Sequence, residues 1–419
     1  MKTISTKIVF AASIVFLLLS LFLSGRLIYL AKHNQEYRID QAEINSIRYG
    51  LLNADEWKFY LADIISQKIN EFEFTPENQE QLQGQVENIL YRLLDEVDTI
   101  LQNDMGRIKR FLMNAFVDLE KLKENVPELA EALLEEMAKP ENKENLNEYI
   151  LDKLDNFVAE TFNKDEQAKL NQLMEKYNTE DRNIASANLE QLSNQTTNKL
   201  RIDAFLLIIF LSFVFGINVF FGIQNIQIRL LFLLLVALIF LINGITIPMI
   251  DIEAKISRLT FQLMGENIIF ENQVLFFQSK SIIDVVWILV STGKIDMIFV
   301  GFLIFTFSVL FPVTKLVCSY LTIRAPRKLV GLKWGQFFTF KSGKWSMADV
   351  FVVALFMAFI GFNGIFGDQL SHLNNVNEYV EIFTTNGTNL QVGFYMFLMF
   401  CLAGLFLSEM IQKSLSNSN

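Results

Sequence analysis

Two apolar stretches in the C-terminal half, residues 298–323 and 347–366, constrain the fold more than anything else in the chain. At about 1.5 Å of helix rise per residue, each is long enough to match the roughly 30 Å hydrocarbon core of a bilayer. Both read as membrane spans. Each also carries a potential charge, Lys315 in the first and Asp349 near the start of the second. Insertion scales put the penalty for such a residue at about 2.5 to 3.5 kcal/mol at mid-bilayer, so it must meet protein, water or a headgroup.

Composition agrees with a membrane protein. Apolar residues make up 52% of 419 and the mean hydropathy is +0.30, which places the chain in the integral-membrane class. The net charge is −10, with the acidic excess in residues 36–190 and the membrane half balanced or locally basic, which does not suit a general nucleic-acid binder. With two cysteines, Cys318 and Cys401, and two histidines, His33 and His372, no zinc cluster or disulfide framework can be assembled. Ser291-Thr-Gly-Lys294 and Ser342-Gly-Lys344 lack the remaining parts of a phosphate-binding loop. We therefore expect no catalytic residue, no metal, no cofactor and no enzymatic activity.

Taken in order, the chain predicts about six spans. Residues 1–31 read as an uncleaved N-terminal anchor, with Lys2 and Lys7 holding the N-terminus in the cytoplasm. Residues 32–201 read as a periplasmic helical domain of about five helices: Val86, Ile89, Leu90, Leu93, Leu94 and Val97 recur at amphipathic spacing, as do Trp57, Leu61, Ile64, Ile65 and Ile69, and Leu146, Ile150, Leu154 and Phe157. Pro76, Pro127 and Pro140 mark helix starts or breaks. A connecting span, residues 204–223, and a short cytoplasmic turn lead into a third span, 230–250, ended by Pro248. Residues 255–279 predict a β-hairpin turning at Gly265-Glu-Asn267, and residues 281–290 a helix too short to cross. The basic loop between the two opening stretches holds Arg324, Arg327, Lys328, Lys333, Lys341 and Lys344 and marks a cytoplasmic side. A polar outer loop, 368–389, precedes a last span, 390–411, and a cytoplasmic tail, 413–419. The fold class is all-α membrane protein with a small periplasmic β-hairpin and a periplasmic helical bundle.

Within 298–323, Gly301, Ser308, Pro312, Lys315, Ser319 and Thr322 fall on one helical stripe. A purely lipid-facing helix has no use for it. Gly393, Cys401, Gly404 and Ser408 give the last span a small-residue face that admits a neighbouring backbone. Lys315 and Asp349 occupy the same leaflet and can pair. Equally, Lys315 can snorkel to headgroups, and Asp349, third after Ser346, can close a capping box at a helix start. Asn243, Thr246 and Asn363 suit interhelical hydrogen bonds. The two cysteines suit packing, and His372 suits a loop.

The pattern Phe-Ser-Val-x-Phe-Pro-Val-x-Lys at 307–315 and the run Lys344-Trp-Ser-Met-Ala-Asp-Val-Phe-Val-Val-Ala354 resemble the signature segments of the paraquat-inducible protein A family. The resemblance extends over about residues 228–412, as one four-helix module. It implies a bacterial inner-membrane component that works with mammalian cell entry (MCE) domain proteins, whose tunnels carry lipid between two membranes. It also implies that the family's polar intramembrane positions fall on Lys315 and Asp349, with Ser308 and Thr314 beside them. Family members often have two modules, a cysteine-rich zinc ribbon and no tethered helical domain; this sequence differs in all three. The resemblance thus implies an MCE-domain partner, membrane lipid as cargo and a role in the cell envelope. The rival expectation is a membrane stress sensor whose outer helical domain receives the signal.

Overall fold

A computed structural model describes residues 2–50, 54–70, 79–99, 123–137, 150–151, 164–221, 225–324, 354, 357–358 and 380–416. Its longest element, α1 (Lys2–Ile44), is one helix of 43 residues, about 64 Å long and so roughly twice the depth of a bilayer core. The apolar run predicts an anchor ending at residue 31, but residues 32–44 contain neither Gly nor Pro, so nothing stops the helix where its apolarity fades. Among the described residues four α-helices follow, α2 (Ala54–Asn70), α3 (Gln79–Thr99), α4 (Val126–Met137) and α5 (Lys164–Lys176). The next, α6 (Arg182–Phe220), starts at an Asp181 cap that accepts from the N–H groups of Asn183 and Ile184 and runs through the expected boundary at 201 without a break.

Helices α1 and α6 are antiparallel. On α6 the buried residues Leu200, Ala204, Leu207, Leu211, Val214 and Asn218 alternate at spacings of four and three, the pattern of a coiled-coil seam. Polar rungs interrupt it. Asn218 Nδ2 donates to Ser13 Oγ (2.8 Å), Ser193 Oγ to Asn34 Oδ1 (3.0 Å) and Asn45 Nδ2 to Ser186 Oγ (2.7 Å). Arg26 and buried Asp203 make an ion contact at 3.2 Å without hydrogen-bond geometry.

α7 (Ile226–Thr246) lies alongside and ends just before Pro248. Its buried Asn243 donates to Ser24 Oγ on α1 at 2.7 Å, the interhelical bond expected of it. Thr246 differs: its hydroxyl donates to Ile242 O on its own helix (2.7 Å), because a half-buried Thr at a helix end finds the preceding turn before any neighbour. α7 packs against the last helix, α11 (Val392–Ser416). A Cβ on Gly393 would stand 2.2 Å from Ile247 O, and one on Gly244 would stand 2.8 Å from the Phe397 backbone. α11 thus meets main chain at both points, in α7 at Gly244 and just beyond its end at Ile247.

β1 (Ile250–Leu263) and β2 (Glu266–Lys280) form the hairpin. The turn is Met264-Gly265, one residue earlier than the sequence suggests. Both residues have positive φ, 51° and 90°, as a two-residue type I′ turn requires, and Glu96 of α3 accepts the Met264 N–H at 2.8 Å. The expected polar loop 368–389 is corrected at its end: β3 (Val380–Asn386) and β4 (Asn389–Leu390) both pair with β1, giving an antiparallel sheet of four strands. One sheet face, Ile256, Leu259, Leu263, Ile268 and Phe270, shares a core with α2, α3 and α4. Trp57 and Tyr60 pack on Phe270, and Tyr60 donates to Ile269 O at 2.7 Å. Helices α2, α3 and α4 and the sheet are therefore one packed unit, while α5 packs on α1 and α6.

α8 (Ile282–Ser291) opens with a capping box in which Ser281 and Asp284 exchange backbone and side-chain bonds. Gly293, at φ 71°, turns the chain into α9 (Ile295–Phe305), whose Gly301 is seated against Leu289 and Val290 of α8. A π-helical turn, Thr306–Leu310, joins α9 to α10 (Phe311–Arg324). Among the described residues five helices are long and apolar enough to cross a membrane, with α9 and α10 counted as one; the chain is a multi-pass membrane protein. Of the expected span at 347–366 only residues 354 and 357–358 are described.

Candidate functional site

The α9–α10 helix is mostly turned to the surroundings: only 17% of its most apolar window is buried. Gly301, Ser308, Pro312, Lys315 and Ser319 are buried in this stretch, together with Leu316. Pro312 explains the local geometry. It has no N–H, and its ring would collide with the carbonyl one turn back in a regular helix. The preceding turn widens instead, so that the Phe311 N–H bonds to Thr306 O, a π-type link. This places Ser308, 1% exposed, and the buried Thr306 Oγ1 on the interior side.

Lys315 is 9% exposed, so its ammonium has not snorkelled to the surface. Its Nζ lies 3.5 Å from Gly404 O on α11, a carbonyl that also accepts from Ser408 Oγ at 2.8 Å. A Cβ on Gly404 would meet that Nζ at 3.9 Å, an ordinary contact. The site thus joins α10 to the small-residue face of α11. Thr322 lies on α10; Asp349 and Ser346, like Asn363 and His372, lie outside the described residues. Thr314 donates to Leu310 O (2.7 Å). Cys318 and Cys401 form no disulfide and are half-buried.

A second polar cluster has no counterpart in the sequence reading. Asp251, 1% exposed where α7 gives way to β1, accepts hydrogen bonds from Arg38 of α1 and from Gln391 at the head of α11. Beside it Gln35 donates to Ser279 O (2.6 Å) and to Asp284 of the α8 capping box (3.2 Å). One side-chain network thereby ties α1, the sheet, α8 and α11 together at the membrane-facing edge of the sheet. The signal that could have disclosed part of it is the motif Ser281-x-x-Asp284, which has the form recognised at Ser346-x-x-Asp349.

Comparison with known proteins bears on the α8–α10 region. Residues 269–367 match the family described as Paraquat-inducible protein A. The match is narrower than the resemblance over 228–412. It begins in β2 and takes in α8, α9, the π turn and α10 with Lys315, together with Asp349. The α1–α6 hairpin, the outer helices, α7 and α11 lie outside the paraquat-inducible protein A segment. No curated protein matches the chain, and no solved structure does.

Proposed function

We propose that the chain is the inner-membrane subunit of an MCE-type lipid transport system, passing lipid between the inner membrane and a periplasmic tunnel protein to maintain the cell envelope. In this reading it is a carrier and not an enzyme, its termini are cytoplasmic, and residues 32–201 and the sheet face the periplasm. The observation that carries the proposal is a buried lysine on a Pro-broken, π-turned helix inside the family segment. Ionisable residues inside a membrane, facing protein, mark pathways more often than scaffolding, and π turns recur at functional sites. The helix can exchange between two arrangements at that turn, carrying Ser308, Lys315 and Ser319 with it, while Asp349 acts as the expected counter-charge.

The test is functional. Lys315→Ala and Asp349→Asn are expected to abolish envelope integrity at unchanged protein level, and an MCE-domain protein is expected to co-purify with the wild-type chain. Two mutants indistinguishable from wild type, with no MCE protein recovered, refute the reading.

A further inference from the structure

The outer parts of α1 and α6, the sheet and the start of α11 line an open cavity of about 760 Å3, within the span of about 300 to 1,000 Å3 usual for ligand sites. Its lining changes character along α6. At the apolar end Phe205 stands at the rim, 65% exposed, with Met396 of α11 forming part of the floor. Arg201 lies one turn beyond Phe205, and Glu190 about three turns farther along, roughly 16 Å by helix rise. All four line the cavity. From a membrane-buried rim outward, the order is therefore apolar, cationic, anionic.

The remaining charges cancel. Arg38 is bonded to Asp251, and β1 presents Glu253 and Lys255, whose alternate spacing puts both on one strand face. Nothing in the lining gives a net attraction for a purely anionic headgroup. A zwitterionic phospholipid has the same order as the wall: acyl chains, then phosphate, then ammonium. We propose that this cavity holds the headgroup of one amine-bearing zwitterionic phospholipid, with its phosphate at Arg201, its ammonium directed along α6 toward the Glu190 end and its chains leaving past Phe205 into the bilayer. Most of the wall comes from the α1–α6 hairpin, outside the family segment, so this is a property of this chain's own additions. The lipid-transfer reading supplies the purpose of the site, and the binding itself rests on the cavity.

The experiment uses the full chain in detergent, incubated with phosphatidylethanolamine or phosphatidylglycerol, with retained lipid counted by native mass spectrometry. The wild type is expected to retain phosphatidylethanolamine in preference. Asn194→Trp, which places an indole into the cavity from an exposed wall position, and Arg201→Gln, which removes a charged partner, should each lower that retention roughly tenfold or more. Glu190→Gln should erase the preference over phosphatidylglycerol. Equal retention by wild type and Asn194→Trp, or a wild-type preference for phosphatidylglycerol, overturns the assignment. Lys315→Ala is expected to bind phosphatidylethanolamine as the wild type does, so failure of the transport reading and failure of this site leave different signatures.

Discussion

The helix pair α7–α11 and the helix α9–α10 are both apolar enough to span a membrane, yet the protein uses them in opposite ways. In α7, 67% of the most apolar window is buried, against 17% in α9–α10. The first pair is locked by glycines that let backbones touch, and by Asn243 bonded across to α1. The second carries the proline, the π turn and the buried lysine, and much of its surface is turned to the surroundings. Hydropathy alone ranks the two as equals. In lipid the hydrophobic effect does not hold helices together, so close packing and interhelical hydrogen bonds decide which spans are scaffold. Within the described part of the family segment, α9 and α10 are the loosely held helices, set beside a better-buried frame of α7 and α11 that lies outside it.

The contrast can be broken most decisively at the frame's joint. Asp251→Ala removes the acceptor shared by Arg38 and Gln391 and leaves a mostly buried guanidinium unpaired; the loss should be about 3 kcal/mol, read as a large fall in thermal midpoint by fluorescence-detected size exclusion. Next, Gly393→Val must push α11 off the Ile247 carbonyl, a loss of about 1 to 3 kcal/mol in the same assay; an unchanged midpoint would show that the helices are not in main-chain contact. Asn243→Leu should be milder, about 1 kcal/mol for an interhelical bond in lipid, while its neighbour Thr246→Val stays near zero because that bond is local. Smallest of all, Phe302→Leu on exposed α9 should fall within about 0.5 kcal/mol. A strong effect there would mean that this surface is covered in the folded protein and that the contrast with α7 is false.

Much of the frame was legible in the sequence, and the reasons it was not fully so are specific. The amphipathic spacing around Val86 and Trp57 located α3 and α2, and Pro127 marked the start of α4. The apolar runs located the membrane helices, but their ends mislead: α1 and α6 continue past residues 31 and 201 because helix propensity and seam packing, not apolarity, decide where a helix stops. β3 was hidden because a strand of seven residues needs the edge of β1 to exist at all. At the site, the stripe through Ser308, Lys315 and Ser319 could be read from spacing alone, whereas the Gly404 carbonyl beside Lys315 could not. Arg26 and Asp203 left a trace, opposite charges within and beside apolar runs, but only the antiparallel α1–α6 pairing makes them partners.

By itself the sequence determined that the chain enters a membrane repeatedly, which helix carries a polar stripe, and where an acidic helical region lies. Those properties are set by periodicity and composition within single segments. Tertiary structure alone decided that α2, α3 and α4 share a core with the sheet, that Asp251 gathers α1 and α11, and that a cavity opens between them. These depend on residues far apart in the chain meeting at ångström distances, and no local pattern encodes that.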